Sequence, residues 1–203
     1  VWDFDDLLLK TVGMLHSQKD IANHLAAQFE HILVDEYQDT NLLQAQMLDV
    51  LAGTHKNILA VGDDAQSIYS FRAAHIENIL GFEKRYDGAR VFRLTKNYRS
   101  SPDILSLAND VISHNVHQYE KKLESVQSAF AKPVLTVCAD QKEEAEKIAD
   151  RIEMLFGEGV ERKEVAVLFR SSHHSQALEM ELTRRGVSYE YRGGMRFFER
   201  AHV

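Results

Sequence analysis

The sequence predicts an α/β fold built mostly on parallel sheet, and three observations point to this class. Short apolar runs without alternation, such as Ile32-Leu33-Val34, are typical of strands buried on both faces of a sheet. Segments with helical spacing of apolar residues separate these runs, so strand and helix alternate along the chain. Several runs also end in charged residues, and ligands bind at the carboxyl ends of strands in open α/β sheets.

The first part of the chain predicts the elements that carry two acidic motifs. These elements are a helix from about Leu7, a short helix after Asp20, a strand at Ile32–Val34, a helix over Asn41–Leu51 and a strand over Asn57–Asp64. Asp3, Asp5 or Asp6 can cap the first helix, and Thr40 is the expected N-cap of the third. Because a helix joins the two strands, we expect parallel pairing, with both acidic ends on one sheet edge.

The later part of the chain continues the alternation. Its expected elements are a helix over His75–Arg85, a strand over Arg90–Leu94, a helix over Pro102–Asn115, a strand over Pro133–Cys138, a helix over Gln141–Phe156, a strand over Glu164–Arg170, a helix over His174–Arg185 and a strand over Val187–Arg192, followed by a turn at Gly193-Gly194 and a tail over Met195–Arg200. Ser101 followed by Pro102 is a strong helix start.

Composition excludes several classes of protein. The 203 residues are 44% hydrophobic and 27% charged, which is ordinary for a globular chain. Because the formal net charge is −7, the surface as a whole does not attract nucleic acid, and any such contact must be a local patch. A single cysteine excludes an internal disulfide, and no apolar run reaches membrane-spanning length. We therefore expect a cytoplasmic protein with no membrane partner.

Two carboxylates directly follow the strand at Ile32–Val34. An acidic pair such as Asp35 and Glu36 at a strand end suits a hydrated Mg²⁺ and a water oriented for attack on a phosphate. The same residues also fit a strand that simply runs into an acidic turn. The local sequence leaves both interpretations open.

Two later loops combine aromatic rings with cations. Tyr69, Phe71 and Arg72 lie close together after a strand end, in a pattern suited to stacking on bases and contacting phosphates of single-stranded nucleic acid. The alternative is that the rings pack inward and Arg72 is a surface charge. Tyr98 and Arg99 fall on a strand-to-helix loop, where a ring can stack on a nucleobase and a guanidinium can hold a phosphate.

Three segments carry a more specific pattern. They are VDEYQDTN at Val34–Asn41, VGDDAQSIYSFRAA at Val61–Ala74 and LTKNYRSSPDIL at Leu94–Leu105. In order and spacing they resemble the second, third and fourth helicase motifs of the UvrD/Rep/PcrA-type superfamily-one DNA helicases. The segments Asp3–Leu8 and Val165–Phe198 are also similar to stretches of this family, so the resemblance covers nearly the whole chain.

The resemblance implies two RecA-like P-loop NTPase motor domains, with ATP and Mg²⁺ in the cleft between them and single-stranded DNA across their tops. Residues 1–92 would form the C-terminal part of the first domain, which is incomplete, and residues 93–203 the N-terminal part of the second. The implied function is that of an ATP-dependent DNA helicase, which couples hydrolysis to translocation on single-stranded DNA and to unwinding at duplex junctions.

The same resemblance implies roles at the ATP site. Asp35 would hold Mg²⁺ through water, and Glu36 would be the base that polarises the attacking water. Gln66 would sense the γ-phosphate. Tyr98 would stack near the adenine, and Arg99 would reach the γ-phosphate from the second domain in the manner of an arginine finger.

On the DNA side, the resemblance implies that Tyr69 and Phe71 stack on bases. Arg72 would bind the strand or brace that loop, and Arg170 would face DNA phosphates. Because Gln66 lies close to both rings in sequence, one loop could respond to nucleotide and to DNA.

One departure and one absence bear on the implied activity. The family usually carries glycine where Ala73 stands, which matters if that position needs a positive φ. No G-x-x-x-x-G-K-[ST] phosphate loop occurs in the 203 residues. We therefore expect these residues alone to hydrolyse ATP negligibly. We also expect an exposed sheet edge through which they can self-associate.

Two other classes of function stay open at this point. One is a non-catalytic DNA-binding or scaffold module that keeps the helicase-like fold. The other is a metal-dependent nuclease built on the four carboxylates of the two strand ends, which are Asp35, Glu36, Asp63 and Asp64. Against the nuclease, no lysine pattern accompanies these carboxylates in the neighbouring sequence.

Overall fold

The computed structural model describes residues 2–192, which divide into two compact units between Pro133 and Val134. The first unit contains α1 (Phe4–Ser17), α2 (Lys19–Ala26), β1 (Ile32–Val34), α3 (Leu42–Ala52), β2 (Ile58–Ala60), α4 (Glu77–Leu80), α5 (Phe82–Arg85), β3 (Lys96–Asn97), α6 (Pro102–Ile112) and β4 (Glu124–Ser125). The second contains α7 (Gln141–Gly157) and α8 (Ser175–Arg184). Helices combined with small parallel sheets confirm the predicted α/β class.

Strands β1 and β2 pair in parallel, as the sequence predicts. Their register joins Ile32 to Ile58 and Val34 to Ala60. The expectation that both faces are buried is wrong for this sheet, because Leu33 and Leu59 are 74% and 54% exposed. Alternate side chains point to opposite faces of a strand, so only one face of the pair is covered among the described residues.

The start of α1 is fixed by a reciprocal capping box. The Asp6 backbone N–H donates to Asp3 Oδ1 at 2.8 Å, and the Asp3 N–H donates back to Asp6 Oδ2 at 3.4 Å. Of the three candidate aspartates, Asp3 is therefore the N-cap. Helices α1, α2 and α3 pack together, and their buried side chains are Val12, Leu15, Ala22, Ala26, Ala45 and Ala52.

The N-cap of α3 is Asn41 and not Thr40 as predicted. Asn41 and Gln44 exchange side-chain and backbone hydrogen bonds, both of 2.9 Å, which fixes the helix start one residue later. Thr40 has a different role: its backbone oxygen accepts hydrogen bonds from the His75 N–H and from the side chain of the buried Asn78.

The predicted helix over His75–Arg85 is two short helices, α4 and α5, separated by Gly81. A Cβ at Gly81 would lie 2.7 Å from the Glu77 carbonyl oxygen, so the chain passes too close to that turn for another residue. Phe82 then packs edge-to-face on the buried Tyr37, with ring centroids 5.4 Å apart. These contacts attach α5 to the segment that follows β1.

Four predicted strands do not form among the described residues, namely Arg90–Leu94, Pro133–Cys138, Glu164–Arg170 and Val187–Arg192. Instead, two-residue strands β3 and β4 pair in parallel, Lys96 with Glu124. Side chains in the unpaired segments stay open to solvent, with Leu135 89% and Leu168 92% exposed. The physical reason is that a strand exists only with a hydrogen-bonded neighbour, which local composition cannot supply.

The second unit is held by the packing of α7 on α8. Its buried cluster consists of Ala145, Ala149, Ile152, Leu178 and Leu182. Arg185, just after α8, bridges back to α7 through Asp150 at 2.6 Å and Glu153 at 2.9 Å. The chain then turns at Gly186, whose φ is +70°.

The remaining predictions from the sequence concern the domain boundary and the end of the chain. The predicted domain boundary between residues 92 and 93 stays a prediction, since the packing units divide later in the chain. The predicted turn at Gly193-Gly194 and the tail over Met195–Arg200 lie outside the described residues. None of the helices described combines the length and apolarity needed to cross a membrane.

Candidate functional site

The acidic end of β1 has an unusual backbone. Glu36 adopts the left-handed conformation, with φ 51° and ψ 43°, and its N–H donates to Asp35 Oδ1 at 3.0 Å. A non-glycine residue in this region costs about 1–2 kcal/mol. Such strained positions cluster at functional sites, where the surrounding structure compensates for them. The turn presents both carboxylates to solvent at the strand end.

Gln38 compensates part of that strain from inside the protein. Its side chain is buried, and its Nε2 donates to Glu36 Oε2 at 2.8 Å. Its Oε1 accepts from the Asp63 backbone N–H at 3.0 Å, so one amide joins the ends of β1 and β2. The sequence does not reveal this residue, since a glutamine between Tyr37 and Asp39 gives no local signal of burial.

Gly62 makes this close approach of the two strand ends possible. A Cβ there would lie 2.6 Å from Gln38 Oε1 and 2.8 Å from Ile79 Cδ1. Real Cβ atoms do not come so near to other heavy atoms, so a larger residue would displace the Gln38 amide.

Asp63 and Gln66 continue the connection beyond β2. Gln66 Nε2 donates to Asp63 Oδ2 at 2.8 Å, and Asp63 Oδ1 accepts from the Ala65 N–H at 3.1 Å. Glu36, Gln38, Asp63 and Gln66 therefore form one hydrogen-bonded chain. The structure thus brings three predicted site residues, Asp35, Glu36 and Gln66, to neighbouring strand ends.

Lys121 holds the second acidic pair from a distant part of the sequence. Its ammonium contacts Asp63 Oδ1 and lies 2.8 Å from Asp64 Oδ1. Burial raises the pKa of Asp63, but hydrogen bonds from Lys121 and Gln66 outweigh it and lower that pKa overall. Burial likewise lowers the pKa of Lys121, and its two carboxylate partners raise it above the ordinary value. The sequence analysis expected no lysine here.

The carboxylates at the ends of β1 and β2 differ in whether their oxygens already have hydrogen-bond partners. Asp63 and Asp64 are engaged by Lys121, and Asp64 also accepts the Tyr119 N–H at 3.0 Å. Within residues 2–192, Asp35 Oδ2 and Glu36 Oε1 accept no hydrogen bond. These are hard oxygen donors of the kind that hydrated Mg²⁺ prefers, so Asp35 fits the implied metal. No cluster of three possible metal-ligating side chains occurs in the same range.

The loop after β2 carries its aromatic rings at the surface. Tyr69 and Phe71 have ring centroids 5.9 Å apart, and Phe71 is 70% exposed. The Arg72 guanidinium lies 5.2 Å from the first ring and 5.4 Å from the second. Inward packing of Phe71 is therefore excluded, and Arg72 braces the rings by cation–π contacts.

Ala73 ends this loop in the left-handed conformation, with φ 63° and ψ 17°. Its N–H donates to the Ser70 oxygen at 3.0 Å, and the next N–H, of Ala74, donates to the Tyr69 oxygen at 3.2 Å. The position thus has the positive φ that favours glycine.

Tyr98 and Arg99 lie on the loop between β3 and α6. Asn97 Oδ1 accepts the Arg99 N–H at 2.9 Å, and Gln127 Nε2 donates to the Tyr98 oxygen at 2.6 Å. Both side chains are exposed. In the part of the chain that the structure describes, neither makes a hydrogen bond or ion pair with Asp35, Glu36 or Gln66. The exposed Arg170 lies in the second unit.

Comparison with known families agrees with the helicase motifs. Residues 1–87 match the UvrD/REP helicase N-terminal domain, and residues 92–203 match the UvrD-like helicase C-terminal domain. Fold and matches together define the class, an α/β chain made of RecA-like helicase domains. The chain belongs to the UvrD-like helicase family.

Individual relatives are similar over nearly the whole chain. The chain is 40% identical to ATP-dependent DNA helicase UvrD1 of Mycobacterium tuberculosis, covering 99% of this chain and 27% of the relative. It is 40% identical to DNA helicase II of Escherichia coli K12, covering 99% and 28%. For ATP-dependent DNA helicase PcrA of Staphylococcus epidermidis the identity is 36%, with the same two coverages. The chain therefore spans less than a third of the length of these relatives.

Proposed function

We propose that the protein containing this chain is an ATP-dependent DNA helicase, which uses ATP and Mg²⁺ to translocate on single-stranded DNA and to unwind duplex junctions. The observation that carries this proposal is the hydrogen-bonded chain from Glu36 to Gln66. It joins an acidic strand end to a loop whose continuation presents aromatic rings to solvent. The proposed site for hydrolysis is thus linked by hydrogen bonds to the segment after β2, which also carries the proposed surface for bases.

At the ATP side, Asp35 would hold Mg²⁺, and the open Oε1 of Glu36 polarises the attacking water. The bound ion would neutralise charge that develops on the phosphates. Gln66, held by Asp63, contacts the γ-phosphate. Tyr98 stacks near the adenine, and Arg99 supplies positive charge to the γ-phosphate. The exposure of Tyr98 and Arg99 supports these last two roles, because both side chains are accessible to a ligand.

On the DNA side, Tyr69 and Phe71 stack on bases of single-stranded DNA. Base–aromatic stacking is worth about 1–3 kcal/mol per base and tolerates any sequence. Arg72 holds the two rings in place and adds a cation near the phosphates. Arg170 contacts the DNA backbone from the second unit. This local surface is how an acidic chain, with net charge −7, can bind a polyanion.

The 203 residues alone hydrolyse ATP negligibly, because they contain no phosphate-loop sequence. Residues 1–92 belong to the first motor domain and residues 93–203 to the second. The two-stranded sheet of β1 and β2 leaves its outer edges unpaired among the described residues, which supports self-association of the isolated chain. We place the protein in the cytoplasm.

Strand separation by the full-length protein encoded by this gene tests the proposal. The substrate is a fluorescently labelled duplex with a single-stranded extension, incubated with Mg²⁺ and with or without ATP. We expect intact strands to separate only when ATP is present. Cleavage of the DNA with Mg²⁺ alone would contradict the proposal and indicate a nuclease. DNA binding without ATP hydrolysis would indicate a non-catalytic module.

A further inference from the structure

Among the described residues, only the buried side chain of Gln38 forms hydrogen bonds both to the Glu36 carboxylate and to the segment after β2. It donates to Glu36 Oε2 at 2.8 Å and accepts from the Asp63 N–H at 3.0 Å. Its backbone oxygen also accepts from Ser67 Oγ at 3.4 Å. Donor and acceptor ends of the amide are thus both engaged, with 1% of the residue exposed.

This arrangement constrains the orientation of Glu36. A carboxylate on a flexible side chain samples several rotamers, and a hydrogen bond from a buried donor selects one of them. Since Gln38 occupies Oε2, Oε1 of the exposed Glu36 is left without a hydrogen-bond partner among the described residues, and a water can bind there. The Glu36 backbone is itself held in the left-handed conformation, next to the buried Tyr37 and Gln38.

The acceptor end of the amide constrains the other half of the site. Asp63, whose N–H bonds to Gln38, uses its own carboxylate to hold Gln66 at 2.8 Å. Gly62 lies so close that only glycine leaves room for the amide, which would be 2.6 Å from any Cβ there. A shift of Gln38 therefore moves Glu36 and Gln66 together.

We propose that Gln38 is a positioning residue. It keeps the water-activating Glu36 and the γ-phosphate-sensing Gln66 in fixed positions relative to each other. This inference rests on the proposed function. Gln38 itself touches neither water nor nucleotide; it acts through the two groups that do. Its loss impairs the chemical step and leaves the binding of ATP largely intact.

The test compares Gln38→Met and Gln38→Glu in the full-length protein. Methionine keeps the volume and removes both hydrogen bonds, whereas an ionised glutamate keeps the acceptor for Asp63 and replaces the donor to Glu36 with a second negative charge. We expect kcat of DNA-stimulated ATP hydrolysis to fall about 10- to 100-fold, as for residues that orient a reacting group. KM for ATP should change far less. Should Gln38→Met fold poorly, Gln38→Glu carries the test.

The exposed Gln46 of α3, whose side chain has no hydrogen-bond partner among the described residues, provides the matched control. Gln46→Met should leave kcat and KM unchanged. A double variant provides a second readout: because Gln38 acts partly through Glu36, Gln38→Met should slow hydrolysis by a smaller factor in the Glu36→Gln background than in the wild type.

Unchanged kcat in both Gln38 variants would overturn the inference while leaving the proposed function intact. Parallel loss of kcat and of ATP binding would also overturn it, because that result indicates general structural support. A wild-type protein without DNA-stimulated hydrolysis would overturn the proposed function and this inference with it.

Discussion

Glu36 and Ala73 share a left-handed backbone, with φ of 51° and 63°, but only one of them has side-chain contacts that compensate. Glu36 gains a hydrogen bond from the buried Gln38. The methyl group of Ala73 offers no such bond, so its conformational cost of about 1–2 kcal/mol is not offset by its side chain. Replacement of Ala73 by glycine would therefore relieve strain without the loss of a side-chain hydrogen bond. The same change at Glu36 would also remove its hydrogen bond with Gln38.

Ala73→Gly should stabilise the protein by about 1 kcal/mol, because glycine adopts positive φ without a steric cost. Chemical denaturation, followed by the midpoint of unfolding, measures the effect. The neighbouring Ala74, which has no positive φ, is the matched control. Ala74→Gly should destabilise by about 0.4–1 kcal/mol through the entropy of the unfolded chain. Equal destabilisation by both changes would show that Ala73 carries no backbone strain.

Among the elements, the pair α7 and α8 depends on an ion-pair cluster around Arg185. The guanidinium contacts Asp150 and Glu153 on α7, and Glu181 on α8, while its side chain is 15% exposed. Hydrogen bonds from Arg184 and Arg185 lower the pKa of Glu181 to about 2. The ion-pair cluster and the apolar core thus both hold the last turn of α8 against α7.

This cluster predicts a pH dependence with a defined sign. Since the folded pKa of Glu181, about 2, lies below its ordinary 4.5, its contribution is fully present above pH about 4.5 and is lost as pH falls toward 2. Glu181→Gln should therefore destabilise the protein near neutral pH, and the difference from wild type should shrink in acid. Unfolding midpoints across this pH range provide the measurement.

Glu161 provides the control for that series, because its ion pair with Lys163 is exposed on both sides. An exposed pair contributes little, about 0–1 kcal/mol. Glu161→Gln should change the midpoint slightly at every pH. A difference between Glu181→Gln and wild type that stays constant from neutral pH to pH 2 would contradict the assignment.

Helices were predictable here and most strands were not, for a physical reason. The signals that start a helix lie within a few neighbouring residues. Examples are the capping box of Asp3 and Asp6 and the pair Ser101-Pro102. A strand needs a partner, and segments such as Glu164–Arg170 have strand composition but no neighbour in the described structure. The acidic strand ends were found from sequence because parallel pairing of β1 with β2 follows from the helix that joins them.

The supporting residues of the site were not predictable for a related reason. Gln38 meets Asp63 across 25 positions of sequence, and Lys121 meets Asp64 across 57. Such pairs are set by tertiary packing, and a single sequence holds no pattern for them. The motif resemblance predicts which residues touch ligands, whereas only the structure shows which buried residues hold those side chains in place.

At the scale of the whole molecule, one continuous segment, Val61–Ala74, carries both Gln66 and the rings of Tyr69 and Phe71, and so joins the proposed site for hydrolysis to the proposed surface for bases. Asp35, Glu36 and Gln66 already lie at neighbouring strand ends, and Tyr98 and Arg99 lie on a separate exposed loop. In the proposed function, DNA bound by the rings of this loop acts on ATP hydrolysis through Gln66. In the proposed function, Glu36 activates the water that attacks ATP.

The most direct test is single-turnover ATP hydrolysis by the full-length protein with saturating single-stranded DNA, comparing wild type with Glu36→Gln. Glutamine keeps the size of the side chain and cannot accept the proton, so we expect hydrolysis to slow by about 100-fold or more. Binding of ATP, measured with a fluorescent analogue, should persist. Hydrolysis by Glu36→Gln at the wild-type rate would contradict the account.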